Sequence, residues 1–357
     1  MRIIITVTTD IHYDQRVCKI ANSLTNAGHS VEVIGRYKLP LAPRSDLFQK
    51  RWIHCWFKRS FLFYAEFNIR LFLVVLFKSC DAIYACDLDT LLAAGLVSKI
   101  RNKKLIFDAH EYMEESVELR KKKWISSVWS FIGKLAIPWT DERITVSDSL
   151  AYELQSKYKL PFLVIRNLPY FQNIQPSDKP QKIIWYQGAL NEGRGLELVL
   201  ECMNDLPEYR FHLAGTGDII EQLKHRTKEL GLENRVQFFG RLSYEEMLHH
   251  AQNAFVGIDL LESDSKSYWF SLSNKTFDYM QALLPSIQMN FPEYQQIQNQ
   301  FKTSILLKEL SRNSFIDAIM KFENTEFYFE CKKSCSLAKE KYHWKEEEKI
   351  LLPIFCK

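Results

Sequence analysis

Glycine, proline and closely paired cysteines are scarce in this sequence. The 357 residues include 12 glycines and 11 prolines, which is few for a collagen-like, low-complexity or turn-dense all-β protein. The 8 cysteines are scattered and contain no Cys-x-x-Cys pair, so neither a disulfide framework nor a zinc ribbon is indicated. These absences favour an α or α/β protein in a reducing compartment.

Long apolar runs are also missing. The most apolar later stretch, Leu71 to Phe77, is bounded by Arg70 and Lys78 and falls well short of the roughly 18 residues that a membrane-spanning helix needs. The first residues lead directly into Ile3 to Ile5 without the charged segment or cleavage site of an export signal. We therefore expect a first strand there and a cytoplasmic protein.

An excess of charge of one sign is absent as well. Lys and Arg number 47 against 43 Asp and Glu, for a formal net charge of +4. A protein whose main task is to grip a nucleic-acid backbone carries a much larger basic excess, so we expect no nucleic-acid partner. The apolar fraction of 46% and the charged fraction of 25% are typical of a globular protein.

What the sequence does contain is an alternation of short apolar runs with longer amphipathic segments. This pattern is typical of buried parallel strands separated by crossover helices, and it predicts an α/β fold with two Rossmann-like lobes. The predicted strands are residues 2–7, 30–34, 82–84, 104–107, 142–146 and 162–165 in the first half, and 182–186, 210–214, 236–239, 254–258, 286–288 and 304–307 in the second.

A polar, proline-bearing segment between Pro169 and Lys182 interrupts this pattern and indicates the seam between the lobes. We expect a first lobe over residues 1–169, a second over 170–335, and a C-terminal helix over 336–357 that packs back across the lobes. At about 100 to 200 residues per domain, the chain length agrees with two domains.

Two glycine loops in the second half follow predicted strands. Gly188, Gly193 and Gly195 precede an amphipathic run, and such a loop presents free backbone N–H groups and a helix dipole to an anion. Arg194 adds a cation, so the loop suits a phosphate. Tight turns also use glycine for steric reasons alone, and that interpretation stays open.

The second loop, Gly215 to Gly217, follows the strand predicted at 210–214. It does not complete the dinucleotide fingerprint Gly-x-Gly-x-x-Gly, because Ile220 stands where the third glycine belongs. A dehydrogenase is therefore a poor interpretation.

A helix is predicted to begin near Ser273 and Asn274, which are residues that favour helix starts. Its first turn offers free N–H groups together with Lys275, and Asp278 lies one turn further on. A phosphate near the helix start and a ribose hydroxyl near the carboxylate fit this arrangement. The alternative is a capped surface helix with solvated Lys and Asp side chains.

In the first half, polar residues follow two predicted strands. Asp108, His110 and Glu111 come after the strand at 104–107, and Asp14 and Arg16 come after the first strand. Open α/β sheets bind ligands at the carboxyl ends of their strands, so His110 is a candidate to contact a hydroxyl or a developing charge. A structural histidine and a helix N-cap are the respective alternatives, and adjacent His110 and Glu111 do not form a metal pair.

The basic run Arg120 to Lys123 leads into an apolar and aromatic segment that ends at Trp139. Cations beside such a face suit an anionic membrane surface, and the segment Arg120 to Trp139 is our candidate for peripheral contact with the inner face of a membrane. An ordinary core-facing helix with a solvated start is the alternative.

With these residues assembled, the chain resembles the retaining glycosyltransferases of family 4, which have the GT-B fold of two facing Rossmann-like lobes. The resemblance covers nearly the whole length. The residues that carry it are Asp14 to Val17, Ala27 to Val31, Asp87 to Thr90, Asp108 to Glu111, Thr145 to Ser147, Gly188, Arg194 with Gly195, Ala214 to Gly217, Val236, Phe238 and Gly240, Asn274 to Met280, and Trp344.

The resemblance implies an active site in a cleft between the lobes, with a nucleotide-sugar donor held mainly by the second lobe. The residues implied to bind the donor are Gly188, Arg194, Gly215, Arg241, Ser273, Asn274, Lys275 and Asp278. Among these, Arg194 and Lys275 would meet the diphosphate, Asp278 the ribose and Arg241 the nucleobase. His110 matches the family histidine near the transferred sugar, and with Arg194 and Lys275 it forms the implied catalytic set.

The first lobe would hold the acceptor, a glycan or a lipid-linked saccharide, beside Asp14, Arg16, Asp87, Asp108 and Glu111. No cofactor and no metal are expected, because Arg194, Lys275 and a helix dipole supply positive charge for the departing diphosphate.

The sequence departs from the family pattern at several positions. The family's two glutamates, separated by seven residues, would fall at Phe270 and Asp278; Ala189 replaces a basic residue that often follows the first loop glycine, and Leu284 replaces a glycine.

We therefore expect a cytoplasmic glycosyltransferase that moves a sugar from a nucleoside diphosphate to a hydroxyl with retention, in the assembly of a surface glycan such as lipopolysaccharide, capsule or exopolysaccharide. Two alternatives stay open. One is a nucleotide-sugar epimerase on the same scaffold, which would convert the donor without an acceptor. The other is a catalytically degenerate nucleotide-sugar-binding subunit of a glycan-assembly complex, which Phe270 and Ala189 motivate.

Overall fold

The computed structural model describes residues 1–11, 14–36, 46–58, 60–113, 123–174, 180–262 and 266–356. The chain divides into two compact units. The first lobe comprises Met1–Asn167 together with Glu347–Lys357, and the second lobe comprises Leu168–Glu346.

The first lobe is built on a parallel sheet of seven strands in the order β3-β2-β1-β4-β5-β6-β7. Its strands are β1 (Arg2–Asp10), β2 (Ser30–Arg36), β3 (Gln49–Ile53), β4 (Ala82–Cys86), β5 (Lys104–Ala109), β6 (Glu142–Thr145) and β7 (Leu163–Val164). Its helices are α1 (Gln15–Asn26), α2 (Ser60–Leu76), α3 (Leu88–Arg101), α4 (Lys123–Ala136) and α5 (Asp148–Tyr158), with a 3-10 turn at Ile137–Trp139.

The second lobe contains a parallel sheet of six strands in the order β10-β9-β8-β11-β12-β13. Its strands are β8 (Ile183–Gln187), β9 (Arg210–Ala214), β10 (Val236–Gly240), β11 (Val256–Asp259), β12 (Ser286–Met289) and β13 (Ser304–Leu307). Its helices are α6 (Leu196–Cys202), α7 (Ile220–Glu229), α8 (Tyr244–Asn253), α9 (Lys266–Trp269), α10 (Asn274–Gln281), α11 (Pro292–Gln300), α12 (Arg312–Phe322) and α13 (Thr325–Lys341).

Each sheet reverses its strand order at one place, between β1 and β4 in the first lobe and between β8 and β11 in the second. The loops that leave neighbouring strands at such a point diverge to opposite faces of the sheet and leave a crevice at the carboxyl ends of the strands. The candidate residues of both lobes are concentrated around these two crevices.

The central strands are apolar because both of their faces are covered. Every residue of β4 and of β8 is buried, which explains why these strands appear in the sequence as continuous apolar runs without a period of two. Two Rossmann-like lobes with all-parallel sheets confirm the fold class expected from the sequence.

All twelve predicted strands occur, and the structure adds β3, which the sequence pattern did not indicate. This strand lies at the edge of the first sheet and has the sequence Gln-Lys-Arg-Trp-Ile, of which only Ile53 is buried. An edge strand with solvated side chains lacks the apolar run on which the prediction depended.

The C-terminal residues belong to both lobes. The boundary that we expected between residues 335 and 336 falls within the continuous helix α13, and the next helix, α14 (Trp344–Leu351), leads into the first lobe. There, the Glu347 carboxylate accepts a hydrogen bond from the backbone N–H of Arg166 at 2.9 Å, and a 3-10 turn at Leu352–Phe355 completes the chain.

In the described ranges, no helix combines the length and the apolar character that crossing a membrane would need.

Candidate active site

A buried ion pair lies below the crevice of the first lobe. Arg16, from α1, donates from Nε to Oδ2 of Asp108 at 2.8 Å and from Nη2 to Oδ1 at 2.7 Å, and its Nη1 donates to the carbonyl oxygen of Ile165 at 2.7 Å. Asp108 is fully buried and Arg16 is 3% exposed. Burial alone would raise the pKa of Asp108, but Arg16 and His110 hold it well below its usual range.

His110 lies above this pair, between two carboxylates. Its Nε2 is 3.0 Å from Oδ2 of Asp108, and its Nδ1 is 3.4 Å from Oδ2 of Asp87. Burial alone would lower the pKa of His110, but the charges of Asp87 and Asp108 raise it well above its ordinary value. The side chain is 19% exposed, so an imidazole held between two carboxylates faces the crevice.

The backbone of Asp87 is strained. This residue follows β4 with φ of 59°, in a region that non-glycine residues seldom adopt. Its N–H donates to the carbonyl oxygen of Asp108 at 2.9 Å, and its Oδ1 accepts the backbone N–H of His110 at 2.8 Å. Strain of this kind persists where surrounding hydrogen bonds enforce it, and it is frequent at functional sites.

The structure separates the five residues that we expected on the acceptor side. Arg16 and Asp108 are buried and support His110 from below, so their side chains offer almost no surface to an acceptor. Asp14 caps α1 by accepting the backbone N–H of Val17 at 3.0 Å, which is the N-cap alternative considered above. Asp87 is 20% exposed beside His110, and Glu111 is exposed.

Tyr84 was not singled out from the sequence, and Asp89 was named only as part of the motif from Asp87 to Thr90. The Tyr84 hydroxyl donates to Oδ2 of Asp108 at 2.7 Å, and Thr8 donates to the buried carboxyl group of Asp89. Burial and the neighbouring charge of Asp87 raise the pKa of Asp89 to about 8. The spacing Asp87-Leu88-Asp89 after a buried strand was the available signal for Asp89, whereas Tyr84 lies inside an apolar run.

In the second lobe, the two glycine loops lie against each other. Gly188 has φ of 134° and donates its N–H to the carbonyl oxygen of Ala214 at 2.9 Å. Gly215 has φ of 140°, and a Cβ atom placed on it would overlap the carbonyl group of Gly188. Only glycine combines this conformation with this close approach, so steric necessity explains the residue type at 215. The same packing brings both loops to the carboxyl ends of β8 and β9.

Lys275 is directed towards these loops from the first turn of α10. Its Nζ donates to Oδ1 of Asp259 at 2.6 Å and to Oγ of Ser273 at 3.0 Å, and it lies 5.4 Å from the centre of the Tyr186 ring. Its side chain is 7% exposed. Burial lowers the pKa of Lys275 and the nearby Arg194 adds to this effect, while the Asp259 carboxylate opposes it.

Arg194 lies in the same neighbourhood, immediately before the start of α6. Its guanidinium carbon is 5.1 Å from the centre of the Tyr268 ring, and its charge acts on both Lys275 and Tyr186. Its Nε is buried and has no hydrogen-bond partner among the residues that the structure describes. A buried guanidinium N–H without an acceptor is a feature that an anionic ligand would satisfy.

Asp278 lies one turn after Lys275 and is only partly buried. Its Oδ2 accepts a hydrogen bond from Nε2 of Gln187 at 2.8 Å, and Trp185 Nε1 in turn donates to Oε1 of Gln187 at 2.9 Å. This chain of hydrogen bonds connects Asp278 to the end of β8, so the carboxylate has a defined position beside the glycine loops.

The remaining donor-side residues lie around the same crevice. Ser273 is the N-cap of α10 and Asn274 is its exposed first residue. Arg241, which follows β10, is exposed, and its Nε is 3.4 Å from Oγ1 of Thr216 in the second glycine loop. All eight predicted donor-side residues therefore lie in loops at the carboxyl ends of strands β8 to β10, or in α10 and its N-cap.

Asp259 and Tyr294 complete the surroundings of Lys275, and neither was predicted from the sequence. The Tyr294 hydroxyl donates to Oδ2 of Asp259 at 2.8 Å, and each residue is 1% exposed. Asp259 directly follows the run that we predicted as the strand 254–258, and a carboxylate at the end of a buried strand was the available signal. No local pattern indicates Tyr294, which lies in α11.

Within the described ranges, no cluster of three or more His, Cys, Asp or Glu side chains has the arrangement to hold a metal ion. The expectation of a metal-independent protein stays a prediction.

Comparison with known proteins assigns the chain to a family. Residues 15–168 match the family described as Glycosyltransferase Family 4, and residues 170–344 match glycosyl transferases group 1. The chain is a family 4 glycosyltransferase with the GT-B fold. The family and the fold that the sequence motifs implied are thereby confirmed, and retention of configuration stays a prediction.

Solved structures similar to this glycosyltransferase cover almost the whole chain at low sequence identity. Sucrose-phosphate synthase from Thermosynechococcus elongatus has a TM-score of 0.80 at 16% identity and covers 99% of this chain and 98% of its own. WaaG, a glycosyltransferase involved in lipopolysaccharide biosynthesis, has a TM-score of 0.77 at 12% identity over 100% of both chains. Anabaena HepE in complex with UDP-glucose has a TM-score of 0.76 at 13% identity over 99% of both chains.

A curated relative matches over a shorter segment. Mannosylfructose-phosphate synthase of Agrobacterium fabrum (strain C58 / ATCC 33970) is 34% identical over 89 residues, which cover 21% of this chain and 20% of that protein. The match thus spans about a fifth of the length of that relative.

Proposed function

We propose that this glycosyltransferase transfers a sugar from a nucleoside-diphosphate sugar to a hydroxyl acceptor with retention of the anomeric configuration. The observation that carries the donor assignment is the convergence of Arg194 and Lys275 on the two glycine loops of the second lobe, with a buried Nε of Arg194 that has no acceptor in the described part of the chain. HepE, a neighbour of the same fold, is described as binding UDP-glucose.

The diphosphate is the group that this arrangement suits. Arg194 offers a guanidinium fork, Lys275 offers an ammonium, and the N-cap Ser273 makes no side-chain cap hydrogen bond at the start of α10. These groups are held in place before the ligand binds, so they can stabilise the negative charge that develops on the departing diphosphate. The position of Asp278, one turn along α10, suits the hydroxyls of a ribose.

His110 is the first-lobe residue proposed to act on the transferred sugar. Its raised pKa makes the imidazole a poor base, and both ring nitrogens lie beside carboxylates. His110 is therefore proposed to contact the sugar hydroxyls through its backbone carbonyl oxygen or the exposed part of its ring. Asp87, which is partly exposed beside it, is proposed to contact the acceptor hydroxyl. The acceptor is proposed to be a growing surface glycan on a lipid carrier; WaaG, a neighbour in fold, is described as acting in lipopolysaccharide biosynthesis.

Calorimetry with a nucleoside diphosphate and with inorganic diphosphate tests the donor site. Arg194→Ala is expected to weaken binding of both ligands by about 1.5 to 3 kcal/mol, the scale of a hydrogen bond to a charged group. Asp278→Asn is expected to weaken binding of the nucleoside diphosphate more than binding of inorganic diphosphate, because only the nucleoside diphosphate carries a ribose.

Arg210→Ala is the matched control, since Arg210 is exposed at the opposite, amino end of β9. Unchanged affinity in Arg194→Ala would remove this residue from the phosphate site. Equal losses for both ligands in Asp278→Asn would contradict the ribose contact.

A catalytically degenerate binding subunit is the second candidate function. It is favoured by Phe270 and Ala189, which stand where the family carries a glutamate and a basic residue. Both candidates predict nucleotide binding, so the calorimetry does not separate them. Release of nucleoside diphosphate from a donor in the presence of membranes that carry acceptor would support the transferase, and a donor that binds but is never consumed would support the binding subunit.

Contact with an anionic membrane through the segment from Arg120 to Trp139 is part of the proposal. Arg120, Lys121 and Lys122 lie outside the described residues. The described part supports the proposal, because α4 exposes an apolar stripe at helical spacing. The stripe comprises Trp124, Val128, Phe131 and Leu135. The core-facing alternative holds for Trp129, which is buried on the other side of the same helix.

A further inference from the structure

Three helices of the first lobe form one layer, and their outer faces have an unusual composition. Helix α2 packs against α3, and α3 packs against α4. Helices α2 and α4 also contact each other, because the Tyr64 ring packs edge to face against the Trp129 ring with 5.2 Å between the ring centres. The outward faces of the three helices therefore belong to a single surface, which we call the three-helix surface.

Helix α2 contributes an apolar outer stripe. Phe63, Phe67, Leu71 and Val75 are buried on its inner side. The outer side, where a surface helix ordinarily carries charged residues, is also apolar. It comprises Leu62, Ala65, Ile69, Leu73 and, just beyond the helix, Phe77. Ile69 is 63% exposed and Phe77 is 83% exposed, so these side chains are not part of the core.

The neighbouring helices continue the apolar character. Helix α3 exposes Leu96 and Ile100, the latter by 63%, and α4 adds its stripe from Trp124 to Leu135. Scattered single apolar residues on a surface are ordinary, but three adjacent helices with apolar outer stripes indicate a contact surface.

The charges on these helices have one sign at the surface. Glu66 is the sole acidic residue of α2; it is 12% exposed and paired with Arg70 at 2.8 Å. The acidic residue of α3, Asp89, is buried, and α4 has none. Lys99 and Lys134 are exposed. The described outer faces of α2, α3 and α4 therefore present cations and apolar side chains without an unpaired exposed carboxylate.

We propose that the three-helix surface, with α2 and α3 as well as α4, is the face on which the protein docks to an anionic lipid bilayer. Cations beside insertable apolar side chains fit anionic headgroups above acyl chains. A second copy of this chain fits poorly, because it would bring the same cations face to face with no carboxylate between them. The inference extends the membrane contact of the proposed function from one helix to three.

Co-sedimentation of the full chain with lipid vesicles tests this surface. The test variant is Ile69→Gln/Phe77→Gln/Ile100→Gln, which alters only α2, α3 and the residue after α2, and none of the site residues. The matched control is Phe329→Gln/Leu337→Gln on α13, where the two side chains are 51% and 57% exposed in the second lobe. Each protein is mixed with phosphatidylglycerol–phosphatidylcholine vesicles and with pure phosphatidylcholine vesicles, at low and high salt.

The parent and the control are expected to bind the anionic vesicles, less at high salt and little to pure phosphatidylcholine. The test variant is expected to lose about tenfold or more of that affinity, because large apolar side chains no longer insert. Circular dichroism and nucleoside-diphosphate affinity are measured on every variant, so that loss of fold or of the donor site is separated from loss of membrane contact.

Three outcomes would overturn the proposal. In the first, the folded parent does not bind anionic vesicles. In the second, the test variant binds as tightly as the parent, which would restrict any membrane contact to α4. In the third, sedimentation velocity shows a parent dimer that the test variant lacks, which would assign the surface to self-association. None of these three outcomes depends on donor binding, so the proposed donor site is tested separately.

Discussion

At the scale of single residues, both crevices depend on buried charges that hold a candidate site residue in place. Asp108 and Arg16 fix His110 in the first lobe, and Asp259 with Tyr294 fixes Lys275 in the second. Removing one partner of a buried pair leaves an uncompensated charge, which is costly. The carboxylates therefore determine where the cations lie and how strongly they retain their protons.

The pKa of His110 is expected to lie well above its ordinary value of 6.5. A raised pKa means that the imidazole is charged below that pKa and loses its proton only when the pH rises through it. Asp87→Asn removes one of the two neighbouring negative charges, so it is expected to lower the pKa of His110.

Nuclear magnetic resonance titration of histidine-labelled protein measures this pKa, with His110→Gln used to assign the signal. A His110 signal that titrates near the ordinary value in the parent would contradict the carboxylate arrangement. A pKa that does not respond to Asp87→Asn would leave Asp108 as the sole cause.

At the scale of elements, the donor-side geometry depends on two strand-to-helix loops that touch. Gly188 and Gly215 both have positive φ, and the carbonyl group of Gly188 occupies the space where a side chain at 215 would begin. The obstacle is backbone and cannot rotate away as the end of a flexible side chain can. The packing of the two loops thus sets how close β8 and β9 bring a ligand to the start of α10.

Gly215→Ala is expected to separate the loops and to reduce both stability and affinity for a nucleoside diphosphate. Gly231→Ala is the matched control, because Gly231 also has positive φ, 65°, but has open space around its Cα. We expect Gly215→Ala to cost about 2 to 3 kcal/mol more than the control, as overpacking against an immobile neighbour does.

Urea denaturation and calorimetry measure the two effects. Equal destabilisation by the two substitutions would show that backbone conformation alone matters at 215, and that the contact between the loops does not.

At the scale of the whole molecule, the two lobes have different electrostatic tasks. The second lobe concentrates Arg194, Lys275 and the start of α10 at one crevice, where a diphosphate would need positive charge. The first lobe places His110 among carboxylates at its own crevice and presents cations with apolar side chains on the outer faces of α2, α3 and α4.

Because the second lobe supplies its own cations, nucleoside-diphosphate binding and donor consumption are expected to persist in excess EDTA. The measurement is calorimetry, followed by donor turnover, in EDTA and then in added Mg²⁺ or Mn²⁺. Loss of binding or turnover in EDTA that divalent metal restores would refute metal independence and would assign part of the diphosphate charge to a metal ion.

The sequence by itself determined the α/β class, twelve strands, the two-lobe division and the glycine loops. These features depend on local patterns: apolar runs of strand length and turn residues at fixed offsets. The family followed from several short motifs in order along the chain. The edge strand β3 was not predicted, because its largely solvated residues form no apolar run.

Only the tertiary structure decided which polar residues support others and which face a crevice. Arg16 and Asp108 are 92 residues apart in sequence, and Asp259 and Tyr294 are 35 apart, so no local sequence pattern predicts either contact. Likewise, the apolar residues of α2 are equally consistent with burial on all sides, and packing left Ile69 and Leu73 on the outside. Long-range packing determines burial and pairing, because each depends on which distant element covers a side chain.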